Sequence, residues 1–236
     1  METLPEDVSS IRPAGLTIGE AVAKRRSCRA FLAKPVPMET VLDIIVRASR
    51  APSGVNLQPW QIHVLHGEKR DALVRRVHEL APEQMLGEGP DYALHPEMTP
   101  TEKARHEGVS AVMYAAAGVD RHDVQSRFAH RLRNWSFFGA PVGLIFTIER
   151  RMQPGQWADV GMFAQNIMLL ALEHGLETCA QESWALWPDL IRDHLGLGEE
   201  HMVYAGMAIG YADLDHPING FRTERAEPAE FITVHR

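Results

Sequence analysis

Five arginines stand in two short runs near opposite ends of the sequence, Arg25-Arg26-Ser27-Cys28-Arg29 and Asn219-Gly220-Phe221-Arg222-Thr223-Glu224-Arg225. A guanidinium presents its donors as a planar fork, which suits a phosphate better than the point charge of a lysine. Arg25 and Arg29 lie four residues apart and would share one face of a helix. Cations ending a helix also complement its dipole without any ligand, and on charge alone that solvated alternative is the stronger. The second run shifts the balance, because a terminal strand would carry Arg222 and Arg225 to the same place. The chain as a whole is acidic, with 31 acidic residues against 24 basic ones and a formal net charge of -7. A protein that tracks nucleic acid carries a basic face, so these clusters read as a site for one small anion.

Three further sets have polar chemistry. Ala51-Pro52-Ser53-Gly54-Val55-Asn56-Leu57-Gln58-Pro59-Trp60 is a proline-bounded turn, and Asn56 brings both a donor and an acceptor to it. A plain turn with a buried tryptophan is the competing reading. Gln181-Glu182-Ser183 follows a short strand, either as a turn capped by serine or as a cover for a ligand. Asn134 precedes Phe137-Phe138-Gly139-Ala140-Pro141, as a helix end or as a polar contact. Asn134-Trp135-Ser136 also matches a glycosylation sequon, read here as chance.

Several fingerprints are missing from the sequence. There is no G-x-G-x-x-G after a strand, no phosphate-loop motif, no H-E-x-x-H pair and no G-x-S-x-G elbow. No metal site is expected, and the reactive group of an enzyme of this kind would come from a cofactor. Cys28 sits among cations that could lower its pKa, yet its place in the run reads as a filler rather than a nucleophile. With only two cysteines, Cys28 and Cys179, no disulfide framework is expected and a reducing cytoplasm is the natural setting. No signal peptide or membrane span is expected either.

The positioning elements follow from pattern. Residues 1–15 read as a loose arm and 16–236 as one domain. Thr17-Ile18-Gly19-Glu20 has capping-box spacing and opens a helix to about Arg26. Pro37 leads a second helix with Val41, Ile44, Ile45 and Ala48 on one face. A strand is expected at 61–65 and a helix at 69–80. The stretch 81–101 is broken by four prolines and reads as a long loop, with 81–108 the lid that chooses substrate. Helices follow at about 101–117 and 120–136, then a strand at 143–148. The helix from Trp157 to His174 is apolar nearly all round, which predicts burial on every side, and Gly175 ends it. A strand at about 177–181, a helix at 188–195 and strands at 202–209 and 230–235 complete the chain. Helices outweigh scattered strands, so the expected class is α+β with a small mixed sheet surrounded by helices.

Together these marks resemble the nitroreductase family, whose members bind FMN, over roughly Thr17 to Val234. The stretch from Asn134 to Pro141 is similar to the branch that reduces nitrobenzoates and nitrobenzenes. The resemblance implies that Arg25 and Arg225 grip the FMN phosphate, with Arg26 or Arg222 in support. Ser27 would hydrogen-bond the ring or ribityl chain, and Arg29 would lie near N1 and O2 of the flavin. Pro52, Ser53, Asn56 and Gln58 would come from the partner subunit of a homodimer, with the C-terminal segment exchanged between subunits. Gln181, Glu182 and Ser183 would cover one face, through the amides of Glu182 and Ser183 to N5 and O4. Many relatives have glycine where Ser183 stands, an exchange that a backbone contact tolerates if φ stays negative. Asn134 would touch the ring edge.

The implied activity is ping-pong transfer from NADH or NADPH, through FMN, to a nitroaromatic or a similar electron-poor small molecule. No catalytic side chain is nominated. Alternatives on the same fold are enone reduction, reductive dehalogenation, cleavage of flavin itself, or flavin binding without turnover. A helical interaction module with incidental arginines is the third class.

Overall fold

The computed structural model describes residues 15–236, so the expected arm at 1–15 lies outside the described residues except for Gly15. Seven α-helices are α1 (Ile18–Lys24), α2 (Met38–Ala48), α3 (Gly67–Leu80), α4 (Pro100–Ala117), α5 (Val124–Asn134), α6 (Pro154–Glu173) and α7 (Pro188–Leu195). Four strands, β1 (Gln61–His66), β2 (Val142–Glu149), β3 (Glu177–Gln181) and β4 (His201–Gly210), form one sheet in the order β1-β2-β4-β3. Every pair of neighbouring strands is antiparallel. The parallel part of the expected mixed sheet is a single bridge between Ser27 and Thr178.

That bridge also explains where α1 stops. Thr17 Oγ1 accepts the Glu20 amide at 3.2 Å while the Glu20 carboxylate accepts the Thr17 amide at 2.8 Å, the reciprocal cap expected from the sequence. The helix ends at Lys24 rather than near Arg26, because Arg25 turns extended (ψ 127) and directs the chain along β3. Cys28 then donates its amide to the Thr178 carbonyl at 2.9 Å.

The sheet separates two apolar layers. Leu144, Phe146 and Ile148 of β2 pack with Val41 and Ile44 of α2 and with Val160, Phe163 and Ile167 of α6. Ile145 faces the other way, toward Leu73 and Val77 of α3, Ile191 of α7, Trp135 and Trp184, as the two-residue period of a strand requires. Two glycines make room on this side. A Cβ at Gly143 would overlap the Phe137 ring, and one at Gly206 would overlap Trp184; these rings stack with centroids 4.4 Å apart.

Two expectations change. α6 is not buried all round: Val160, Phe163, Ile167 and Ala171 face the core, but Ala158, Gly161 and Met162 are exposed. Its apolar outer stripe has no cover among the described residues of the chain. The terminal strand at 230–235 does not form. Pro228–Glu230 makes a 3-10 turn, after which Phe231, Ile232 and Val234 are 68%, 54% and 74% exposed. An extended apolar segment of this kind needs a neighbouring strand, and none lies beside it among the described residues.

The long loop, finally, is strapped down. Glu88 donates its amide to the Leu186 carbonyl at 2.8 Å, and its carboxylate accepts the Asp189 and Leu190 amides at the start of α7. Asp91 pairs with Arg150 at 2.6 Å and with Arg192 at 2.7 Å. Tyr92 donates to the Tyr204 carbonyl. Beyond the strap, α4 has no fully buried residue.

Candidate functional site

The two arginine runs meet. Arg25, Arg26, Ser27 and Arg29 line a cavity of about 150 Å³ with Phe221, Arg222, Thr223 and Arg225. Asn219, in the 3-10 turn Pro217–Asn219, makes the junction. Its Oδ1 accepts the Arg29 amide at 2.8 Å, and its Nδ2 donates to the carbonyls of Ala30 and Asp213, both at 2.8 Å. Its own carbonyl accepts from Arg26 Nη1 at 2.7 Å. Buried polar groups of this kind are stable only when paired, and three of these four bonds bridge the two ends of the chain.

The five guanidinium groups have different duties. Arg26 Nε lies 3.3 Å from Glu177 Oε1, so this arginine balances a carboxylate that burial pushes toward its neutral form. Arg222 donates to the carbonyls of Ala23, Lys24 and Arg25 at 2.9–3.1 Å and thereby caps the C-terminus of α1. Among the described residues Arg225 bonds only within its own turn, to Thr223 and Glu224. Arg29 donates to the Ser27 carbonyl at 3.3 Å. Arg25 is half-buried and has no side-chain hydrogen bond or ion pair among the described residues.

From this cavity β3 leads to the second cluster. Gln181 Nε2 donates to the Asn134 carbonyl at 2.6 Å, and Trp135 Nε1 donates to the Ser183 carbonyl at 2.9 Å. Arg133 donates to the Arg29 carbonyl at 2.9 Å. Asn134, Gln181, Ser183 and Arg29 thus belong to one connected surface. Glu182 is exposed on it, and Ser183 keeps a negative φ. Gln181 Oε1 and Ser183 Oγ are buried without a partner. Cys28 is fully buried, and burial outweighs the nearby cation to push its thiol up to about 12, which suits a filler.

The turn holding Pro52, Ser53, Asn56 and Gln58 does not line the cavity of its own chain. It projects outward, with Val55 91% exposed. Val55, Asn56 and Gln58 have φ of 46°, 61° and 49°, a strained run that persists only where its surroundings hold it. Asp159 of α6 accepts the Gly54 amide at 3.1 Å, Ser53 Oγ accepts the Gln58 amide at 3.0 Å, and Trp60 stacks on Phe163 at 4.9 Å.

Glu177, Asp159 and Arg133 join this site without an expected part in it, and Asn219, which opens the second run, has a structural duty that the run itself does not announce. Asn219 and Arg133 adjoin residues that were singled out, but their partners are backbone groups without a sequence signature. Among the described residues no cluster of acidic, histidine or cysteine side chains has the makings of a metal site, and no helix is long and apolar enough to cross a membrane. The residues present do fit FMN. An unpaired guanidinium and a small arginine-lined cavity lie at one end, with orphaned polar atoms of Gln181 and Ser183 at the other.

Comparison with known proteins agrees. The family model described as "Nitroreductase family" matches residues 22–211. A chloronitrobenzene nitroreductase of Comamonas testosteroni is 39% identical over 225 residues, covering 94% of this chain and 99% of the relative. The crystal structure of an FMN and NADPH-dependent nitroreductase, NfnB of sphigopyxis sp. strain HMH, superposes with a TM-score of 0.91 at 40% identity, over 94% of this chain and all of that one. NfnB of Mycobacterium smegmatis, solved in complex with NADPH, gives a TM-score of 0.87 at 28% identity, over 92% and 97%.

Proposed function

The chain belongs to the nitroreductase family, and from that premise we propose that it is an FMN-dependent oxidoreductase that uses NADH or NADPH to reduce nitroaromatic compounds. The observation that carries this reading is the meeting of Arg25 and Arg225 at one cavity while Arg26 and Arg222 serve the protein itself. FMN, when bound, supplies the redox chemistry, accepting a hydride from the nicotinamide nucleotide and passing electrons in pairs to the nitro group. The first such pair, drawn from one NAD(P)H and joined by one proton, would take a nitro group to a nitroso group, with NAD(P)+ and water as the other products. Of the two nucleotides NADPH is favoured, since the two relatives of known structure named above are described with it.

The residues work by positioning and charge. Arg25 and Arg225 bind the phosphate, and Ser27 bonds the ribityl chain or ring. Arg29 faces the N1 and O2 edge. Gln181, Glu182 and Ser183 cover one face of the ring, with Asn134 at its margin. The rigid turn of Pro52, Ser53, Asn56 and Gln58 reaches the site of a second copy of the chain. Three features support this homodimer: the open stripe of α6, the strained outward turn, and the exposed apolar tail from Phe231. Two buried free cysteines suit a cytoplasmic setting.

Steady-state oxidation of NADPH with nitrobenzene as acceptor tests the activity, and turnover should require both FMN and the acceptor. An FMN-loaded protein with no turnover on either nucleotide would contradict it. Mixed dimers of Asn56→Ala and Arg225→Ala chains test the composite site. If the two residues act in trans, the mixed dimer has one intact site and one doubly damaged site; the cis pattern, two singly damaged sites, would overturn it.

A further inference from the structure

One cation beside the site has no part in the reading above. Arg133, in the last turn of α5, is half-buried, and its Nη2 donates to the Arg29 carbonyl at 2.9 Å. On the other side of the same residue, Asn219 accepts the Arg29 amide at 2.8 Å. Arg29 is therefore held through both ends of its backbone. Neither Arg29 nor Arg133 pairs with a carboxylate among the described residues. Their hydrogen bonds go to the carbonyls of Ser27 and Arg29, while Glu177 on β3 is taken by Arg26.

His130 lies one turn earlier on α5 and is buried, with the Tyr114 ring edge-on at 5.7 Å. Burial first, then Arg133 and Arg29, hold its imidazole at about 4, so it is neutral at working pH. The place thus holds two partly buried arginines in contact, the Arg133 guanidinium on the Arg29 carbonyl, and neither has a carboxylate partner among the described residues. Such charge is costly unless an anion arrives to balance it.

We propose that Arg133 is a positioning residue for Arg29 and the second positive charge at the flavin edge, so that the pair favours reduced over oxidised FMN. This rests on the FMN reading, in which the edge facing Arg29 gathers negative charge on reduction. The claim goes further by giving a role to a residue that touches Arg29 rather than the phosphate cavity.

Arg133→Gln and Arg133→Lys separate charge from position, because glutamine retains a donor for the Arg29 carbonyl without charge and lysine retains the charge. The reading is the midpoint potential of the FMN-loaded protein, taken by equilibration with a reference dye. Arg133→Gln should lose about tenfold in its preference for reduced flavin, a drop of about 30 mV for a two-electron couple. Its affinity for oxidised FMN should stay within about threefold, since the phosphate grip is untouched, and Arg133→Lys should stay near wild type. In flavin-free protein, the His130 titration followed by NMR should move up in Arg133→Gln. Should that variant fail to fold, Arg133→Met removes the charge at similar length and carries the same expectation.

An unmoved potential in a neutral variant that binds FMN would overturn the proposal alone. An equal fall in the lysine variant would overturn the charge claim. A wild-type protein that binds no FMN would overturn the flavin reading and this one with it.

Discussion

The side-chain oxygen of Asn219 accepts the backbone amide of Arg29 at 2.8 Å across 190 residues of sequence. With its two donated bonds to Ala30 and Asp213, this one buried side chain staples the tail to the arginine run. Asn219→Ala would leave the Arg29 amide and the Asp213 carbonyl unpaired, while the Ala30 carbonyl keeps the Asp213 amide. At about 1–3 kcal/mol for each orphaned buried group, partly relieved by water, a net loss of about 2–4 kcal/mol is expected in chemical denaturation. FMN affinity should fall with it. A loss under about 0.5 kcal/mol, within the range of ordinary surface substitutions, would contradict the staple.

The arginines should separate by duty. On the proposed phosphate role, Arg25→Ala and Arg225→Ala should each remove a charge-assisted contact worth roughly 1.5–3 kcal/mol, or about 10- to 150-fold in the dissociation constant for FMN. Arg26→Ala should appear first as lost thermal stability, because it leaves Glu177 partly buried without its counter-charge. Flavin fluorescence titration and melting curves, taken together, distinguish the two patterns. Identical behaviour of all three variants would refute the division.

Gly206 lies under Trp184, and Trp184 is pinned by its stack on Phe137. Gly206→Ala should therefore destabilise the protein by about 1–3 kcal/mol through overpacking, and it should disturb the adjoining 182–186 turn. Gly108→Ala, on α4 with nothing within 4 Å, is the control. It should gain up to about 1 kcal/mol from helix propensity. Denaturant midpoints that rank the two variants the other way would count against this packing.

His130 sets a pH dependence. Its folded pKa of about 4 lies below the ordinary histidine value of 6.5, so the imidazole charges mainly on unfolding. Its contribution is complete above about pH 6.5 and is lost as pH falls from there toward 4, by up to about 3 kcal/mol. His130→Gln should flatten that part of the urea-denaturation profile. An unchanged slope would mean that His130 is already charged in the folded protein.

Much of the fold was legible because local chemistry dictated it. The Thr17–Glu20 cap, the α2 face of Val41, Ile44 and Ala48, and the bounds of β3 and α7 all follow from short-range pattern. The α6 stripe and the terminal segment were misjudged for one reason. Apolar periodicity predicts that a face is covered, without saying whether by the same chain. Strand direction was equally hidden, since a period of two is common to parallel and antiparallel pairing. The 81–99 strap rests on Asp91 and Tyr92 meeting partners more than fifty residues away. At the site, the meeting of the two arginine runs could be read from residue type. Which arginine is left for a ligand could not, because Arg222 and Arg133 bond to backbone carbonyls.

The most direct measurement is the visible absorption spectrum of the purified protein, followed by identification of whatever denaturation releases. The account predicts flavin absorption, FMN in the supernatant, and loss of that colour in the Arg25→Ala, Arg225→Ala double variant under the same purification. A colourless protein that takes up no added FMN would contradict the account, and the arginine-lined cavity would then serve another anion.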